Sequence, residues 1–408
     1  MKSEKGQALP LALLALAAGM IIIAPFLGYA SSSLTGSRIY NQAIGEQYSA
    51  DAGVEYAVWQ LLSGRAEVPQ YGTLELPAFV LNSRTVNVVI KHEGEQIYLI
   101  TSTAISADGS STTIQSRVSY RGSDIFTVGN SGTILRYHGN VWSPMTSGTN
   151  QNLQGVWGNS DSDVFVVGNN GTILHYGATT WSPMTSGTSQ HLNSVWGSSG
   201  NDVFAVGNSG TILHYDGTSW SKMTIKCEFT EHLQGVWGSS GNDVFAVGNN
   251  GTILHYNGTT WSSMTSGTTR HLKGVWGTSG NNVFAVGDNG TIRHYNGTTW
   301  SSMTSGTVNY LQSVWGSSGD DVFAVGNSGT ILHYNGTSWS SMNSETINYN
   351  CVWGTSSNDV LTVGNYGAIL HYDGTTWSSM NSGSTKHLHG IWTISGNSEV
   401  KILTYNIQ

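Results

Sequence analysis

Three hydrophobic patterns follow one another along the chain. From Ala8 to Tyr29 an apolar run of 22 residues carries no charge. As a helix it spans about 33 Å at 1.5 Å per residue, which matches a bilayer core. Next, Ile39, Ala43, Tyr48, Ala52, Tyr56, Trp59 and Leu62 recur at steps of three to five, the period of an amphipathic helix. After Gly64 the period shortens to two. Residues 86–90, 97–101 and 113–118 read as strands, and Asp108-Gly109 turns the chain between the last two.

From Asp124 onward one pattern repeats. Val-Trp or Ile-Trp pairs place Trp at 157, 196, 237, 276, 315, 353 and 392, in steps of 39, 41, 39, 39, 38 and 39 residues. A second series runs 142, 181, 220, 261, 300, 339 and 377. With Trp59 these account for all 15 Trp, so nearly every tryptophan is explained by the repeat. Within the unit Val236 to Met264, four short apolar segments are separated by Ser-Ser-Gly-Asn, Asn-Asn-Gly and Asn-Gly-Thr-Thr. Asn-Gly tolerates positive φ at both residues and favours tight hairpins. Four short antiparallel strands in about 40 residues make one propeller blade, and period-two strands exclude an α-solenoid.

The count predicts seven blades. The unit at Asp124 supplies strands two to four only. Its first strand is expected from His389-Gly390-Ile391-Trp392, so that the chain's end pairs with its beginning and no sheet edge stays open. The expected fold is mainly β: a seven-bladed β-propeller over 122–408, after a leader (1–6), a transmembrane and amphipathic helix (7–63) and a small antiparallel sheet (64–121). The strand-like stretch from Glu399 to Tyr405 has no place in this count.

Lys2 and Lys5 precede the apolar run, and the next basic residue is Arg38. That charge bias keeps the N-terminus in the cytoplasm and sends the rest across the membrane. A cleaved secretory signal ending near Tyr29-Ala30-Ser31 is the alternative. The short charged leader Met1 to Gly6, with Gln7 opening the apolar run, resembles a type IV prepilin leader. The resemblance implies cleavage between Gly6 and Gln7 and a retained helix. Ala50-Asp51-Ala52-Gly53-Val54-Glu55-Tyr56-Ala57 is similar to the A-x-A-G-x-x-Y-A segment of PilX-type minor pilins, and this likeness reaches residues 1–120 at most. Major pilins carry Glu at the fifth mature position. Leu11 stands there in this chain, which fits a minor subunit. The repeat units resemble bacterial surface propellers of the BNR and YVTN-like kind, through Trp-Gly-x-Ser-x-x-Asp-Val-Phe-x-Val-Gly. That likeness bears on fold rather than function.

Charged residues make up 10% of the chain and the net charge is −8, which argues against a nucleic-acid partner. Cys227 and Cys351 fall several blades apart, as free thiols rather than a bridge. A charge-poor surface of Ser, Thr, Asn and Gly suits an extracytoplasmic protein.

Two repeated sets invite chemistry. His175, His214, His255, His294, His333 and His371 share the third-strand slot that Arg136 fills in the first unit. Asp163, Asp202, Asp243, Asp321 and Asp359 open the second strand. Positions one blade apart are too distant to share an ion, so the histidines read as blade-face residues. The aspartates read as turn residues bonding nearby backbone N–H groups. Arg136, Arg270 and Arg293 fall in three different slots, unlike the clamp of a propeller glycosidase. No catalytic, metal or cofactor set emerges. The links between blades vary more. They hold Asn152, His191, His232, His271, Tyr310, Tyr349 and His387, and the third-to-fourth link adds Lys226, Cys227, Glu228 and Glu231. Rings at the channel mouth can stack on sugars or peptides, which makes His191, His232, His271, Tyr310, Tyr349 and His387 candidate ligand-binding residues. Ordinary loop variation is the other reading. The expected function is a non-enzymatic binding or adhesion module outside the cell on a pilin-like anchor or filament. Its expected partners are the membrane, other pilins and a glycan or protein ligand. A propeller glycan hydrolase or lyase, and a minor pilin that caps or primes a filament, are the alternatives.

Overall fold

The computed structural model describes residues 38–62, 66, 68–69, 71–94, 97–121, 124–138, 141–177, 179–225, 230–342, 346–393 and 399–408. The Gly6-Gln7 junction, the apolar run 8–29, and Lys226, Cys227 and Glu228 lie outside them. Among the described residues no helix is long and apolar enough to cross a membrane. The chain forms two compact units. One comprises the described residues up to Tyr120 with Val400–Gln408, and the other is Arg121–Glu399.

The first unit is a helix, α1 (Arg38–Leu62), on a five-stranded sheet. The strands are β1 (Thr73–Leu81), β2 (Arg84–Gly94), β3 (Ile97–Ile105), β4 (Ser111–Arg121) and the tail strand Glu399–Ile407, in that order. The stretch left over by the blade count thus lies beside β4. Thr113 and Gln408 exchange both backbone hydrogen bonds, at 3.0 and 2.8 Å, as the close pair of an antiparallel ladder does. The propeller is therefore inserted between two neighbouring strands of this sheet, and it ends at 399 rather than 408.

The buried stripe of α1 is not the expected one. Ala50, Val54, Ala57 and Leu61 are buried, while Tyr48 and Trp59 are 53% and 37% exposed. Close approach is the reason. A Cβ on Gly53 would lie 2.1 Å from Ser102 Oγ and 2.9 Å from Val86, so α1 meets β2 and β3 at a separation that only small residues allow. Two polar ties complete the contact. Buried Glu46 accepts hydrogen bonds from the hydroxyls of Ser106 (2.6 Å), Ser110 and Thr112 (3.3 Å). The Tyr405 hydroxyl of the tail strand donates to Asp51 at 2.5 Å.

The second unit contains seven four-stranded antiparallel sheets among the described residues. A typical blade is Leu233–Ser240, Asp243–Gly248, Ile253–Tyr256 and Trp261–Ser263, from innermost to outermost. Each inner strand touches the next, all the way round. The ring closes as expected: Leu388–Thr393 pairs with Ile125–Gly129 and sets Trp392 opposite Phe126. Both tryptophan series join neighbouring blades. A Cβ on Gly197 would meet the Trp157 ring at 2.6 Å, and one on Gly238 would meet Trp196 at 2.6 Å. Each Val-Trp-Gly therefore supplies a ring to the following blade and a bare backbone to the preceding one. In the outer series, Trp261 and Trp300 pack edge-on against Phe204 and Phe245 of the preceding blade, at 6.4 Å between centroids.

Candidate functional site

The third-strand histidines do not converge. His175, His214, His255, His333 and His371 place Nε2 2.6–2.8 Å from Oδ1 of Asp163, Asp202, Asp243, Asp321 and Asp359, each within its own blade. His294 does the same with Asn282 at 2.7 Å. The other oxygen of Asp202 accepts the Ser198 hydroxyl, and that of Asp359 accepts Thr355, both at 2.5 Å. These aspartates are structural, but their partners are side chains across the blade rather than backbone N–H groups of a turn. In blade one, Arg136 and His138 hold Asp124 at 2.5 and 2.6 Å. Burial alone would raise that carboxyl. The hydrogen bonds from His138 and Arg136 outweigh it and hold the group below its ordinary range. Among the described residues no cluster of His, Cys, Asp and Glu could hold a metal.

The links between blades meet the turns that join second to third strands. Each turn has two successive residues at positive φ, as at Asn170 (55°) and Gly171 (68°), the conformation of a type I′ hairpin. Gly171 is also needed for space, because a Cβ there would lie 2.0 Å from the Thr188 carbonyl oxygen in the link. In six of these turns the N–H of the left-handed residue finds its acceptor on a link side chain. Asn170 donates to His191 Nδ1 (3.0 Å), Ser209 to His232 (2.9 Å), Asn250 to His271 (2.9 Å) and Tyr366 to His387 (3.1 Å). Ser131 donates to Asn152 Oδ1 (2.9 Å) and Ser328 to Asn348 Oδ1 (2.8 Å). The alternation of His and Asn, read from sequence as a ligand surface, thus has a local cause. Both residues carry an acceptor at the δ position.

Two tyrosines separate from that set. Tyr349 occupies the slot that Leu fills in other blades and is fully buried, so it cannot line an exposed surface. The link residue of its blade is Asn348. Tyr310 stands in the His position, 45% exposed, close to Val308 at 80%. Tyr366, which the sequence reading passed over, is 73% exposed at φ 58°. Its signal was a bulky residue where the other turns carry Asn or Ser, a conformation costly for an aromatic side chain.

Inside the ring, the second residue of each inner strand faces the channel: Gln154, Asn193, Gln234, Lys273, Gln312, Asn350 and His389. The five amides donate to Asn169, Asn208, Asn249, Asn327 and Asn365 at 3.0–3.2 Å, and His389 pairs with Asn130 at 2.6 Å. In blade five the pair is replaced by Lys273 and Asp288, and Asp288 Oδ1 is buried without a partner among the described residues. The channel encloses about 160 Å³, below the roughly 300–1,000 Å³ of small-molecule sites. A cleft of about 740 Å³ lies instead between the links on either side of blade five, lined by Gly267, Thr268, Arg293, Ser302 and residues 304–309. Blade five also has Asn282 where most blades have Asp, and Arg293 where the others have Leu.

No protein-family model matches this chain, and no curated protein does. The solved structures it resembles are propellers. They include the WD40 β-propeller domain of Doa1, at 12% identity and TM-score 0.52 over 68% of this chain and 90% of that one. YCF48 from Cyanidioschyzon merolae matches at 17% and 0.51, over 60% and 90%. The RRP9 WD40 repeats match at 10% and 0.51, over 63% and 85%. At such identities the likeness shows the fold alone, a β-propeller.

Proposed function

We propose that the propeller is a non-catalytic module that binds a protein ligand through the face carrying the links and the positive-φ turns. The observation that carries this reading is the exposure of Val308 and Tyr310 (80% and 45%) in a link whose counterparts hold polar caps. Tyr366 adds a second exposed aromatic on the same face. Uncharged rings on a rigid frame are the anchors that protein interfaces favour. A channel walled by amides, one lysine, one histidine and indoles supports binding over glycan hydrolysis, which needs convergent carboxylates. The prepilin-like leader and apolar run support display outside the cytoplasm on a membrane anchor, as an adhesion subunit would require.

Full-length protein screened on protein and glycan arrays tests this. Val308→Ser combined with Tyr310→Ala is expected to weaken a protein ligand by at least about tenfold at unchanged Tm. Hits confined to glycans, or unchanged affinity in the folded variant, would overturn the proposal.

A further inference from the structure

We infer that Arg293, at the base of the cleft beside blade five, receives the side-chain carboxylate of an acidic peptide. The inference deepens the protein-binding reading above and rests on it. The slot is a packing position elsewhere: Leu135, Leu174, Leu213, Leu254, Leu332 and Leu370 fill it in the other blades. Arg293 is only 8% exposed. Its Nη2 donates to the Trp300 carbonyl at 2.9 Å, and its buried Nε has no partner. No acidic residue forms an ion pair with it among the described residues. Burial pushes its pKa down, with no carboxylate nearby to raise it. A buried cation without a counter-charge is costly, and leucine shows that folding does not need it.

The surroundings suit an incoming anion. A Cβ on Gly267 would lie 2.5 Å from Nη2, whereas the equivalent glycines 148, 187, 306 and 383 face open space. The guanidinium therefore lies directly under the link, at the cleft. A planar guanidinium matches a carboxylate in a two-pronged arrangement. Hydroxyls of Thr268, Ser302 and Thr304 line the same cleft and can donate to the anion. The apolar side chains of the lining are Ile292, Met303 and Val308, none of them aromatic, and Val308 is the exposed one at 80%. They offer contact to a peptide but no ring for a sugar to stack on.

Ligand-observed NMR on the full chain tests the inference with N-acetyl-glutamate amide, N-acetyl-glutamine amide and glucuronate. The glutamate probe is expected to bind at least about tenfold more tightly than the glutamine probe. Arg293→Leu is expected to lose that preference while melting at the same or a higher temperature, since it restores the residue of the other blades. Arg293→Lys, which keeps charge without the fork, should retain a reduced preference and serves if the leucine variant misfolds. Equal binding of the two peptide probes, unchanged binding by Arg293→Leu, or tighter binding of glucuronate would each overturn the inference. Glutamate binding that survives Val308→Ser/Tyr310→Ala alongside failed arrays would refute the docking face but not this site. Array binding without a glutamate preference would refute this site but not the module.

Discussion

Asn170 sits at φ 55° with a backbone N–H that its own hairpin does not use, and His191 Nδ1 accepts it at 3.0 Å. The acceptor lies two bonds beyond Cβ in histidine and in asparagine alike, so the two are interchangeable at this slot, as Asn152 and Asn348 illustrate. His191→Asn is expected to change stability by less than about 0.5 kcal/mol. His191→Ala leaves the N–H uncapped and should cost about 0.5–1.5 kcal/mol, with faster hydrogen exchange at the Asn170 amide. Urea unfolding and exchange measured on both variants decide the point. Equal losses would mean that the imidazole is held for something other than its acceptor.

Blade one is assembled from two distant parts of the chain, and its charged cluster differs from that of every other blade. Asp124 is buried between Arg136 and His138, and its folded pKa lies below the ordinary value. A depressed carboxyl contributes stability that is fully present above its unfolded pKa, near 3.8, and is lost as pH falls through the lower folded value. Asp124→Asn also leaves Arg136 without its counter-charge, at about 3 kcal/mol. The variant should therefore unfold at lower urea than the parent at pH 7 and pH 5, and the gap should narrow toward pH 3. A gap that stays constant over this range would show that the ion pair is not its source.

At the scale of the molecule, two C-terminal segments close two different structures. Leu388–Thr393 completes blade one, and Glu399–Ile407 completes the small sheet beside β4. Deleting residues 399–408 should expose the edge of β4 and abolish cooperative unfolding of the small unit, while the propeller transition persists. Deleting 388–408 should also open blade one, with aggregation or loss of the second transition. Limited proteolysis and urea unfolding of the two truncations distinguish these outcomes. A 399–408 deletion that keeps both transitions would refute the pairing of the tail strand with β4.

The repeated four-stranded blades of a propeller, seven of them among the described residues, and the ring closure by His389 to Trp392 were legible in the sequence. Each blade is built from hairpins between residues close in the chain, and Asn-Gly turns and alternating apolar positions report that local geometry directly. That the repeated aspartates and histidines bond within their own blade was legible in part, since a feature repeated in most blades serves the blade, although the partners were side chains rather than backbone N–H groups. Other features depended on contacts between segments that no local period encodes. The helix stripe of Ala50, Gly53 and Ala57 was chosen by how closely the sheet approaches, and hydrophobicity alone had pointed to Tyr48 and Trp59. The tail strand found its place through Thr113 and Gln408, which are far apart in the chain. The caps at His191 and its counterparts link a turn to the loop one blade on, so variation between His and Asn looked like freedom when it was a choice between equivalent acceptors. Tyr349 and Arg293 show the same limit. One shift of slot buried the tyrosine, and only the packed interior shows that the arginine lies in a leucine's place without a counter-charge.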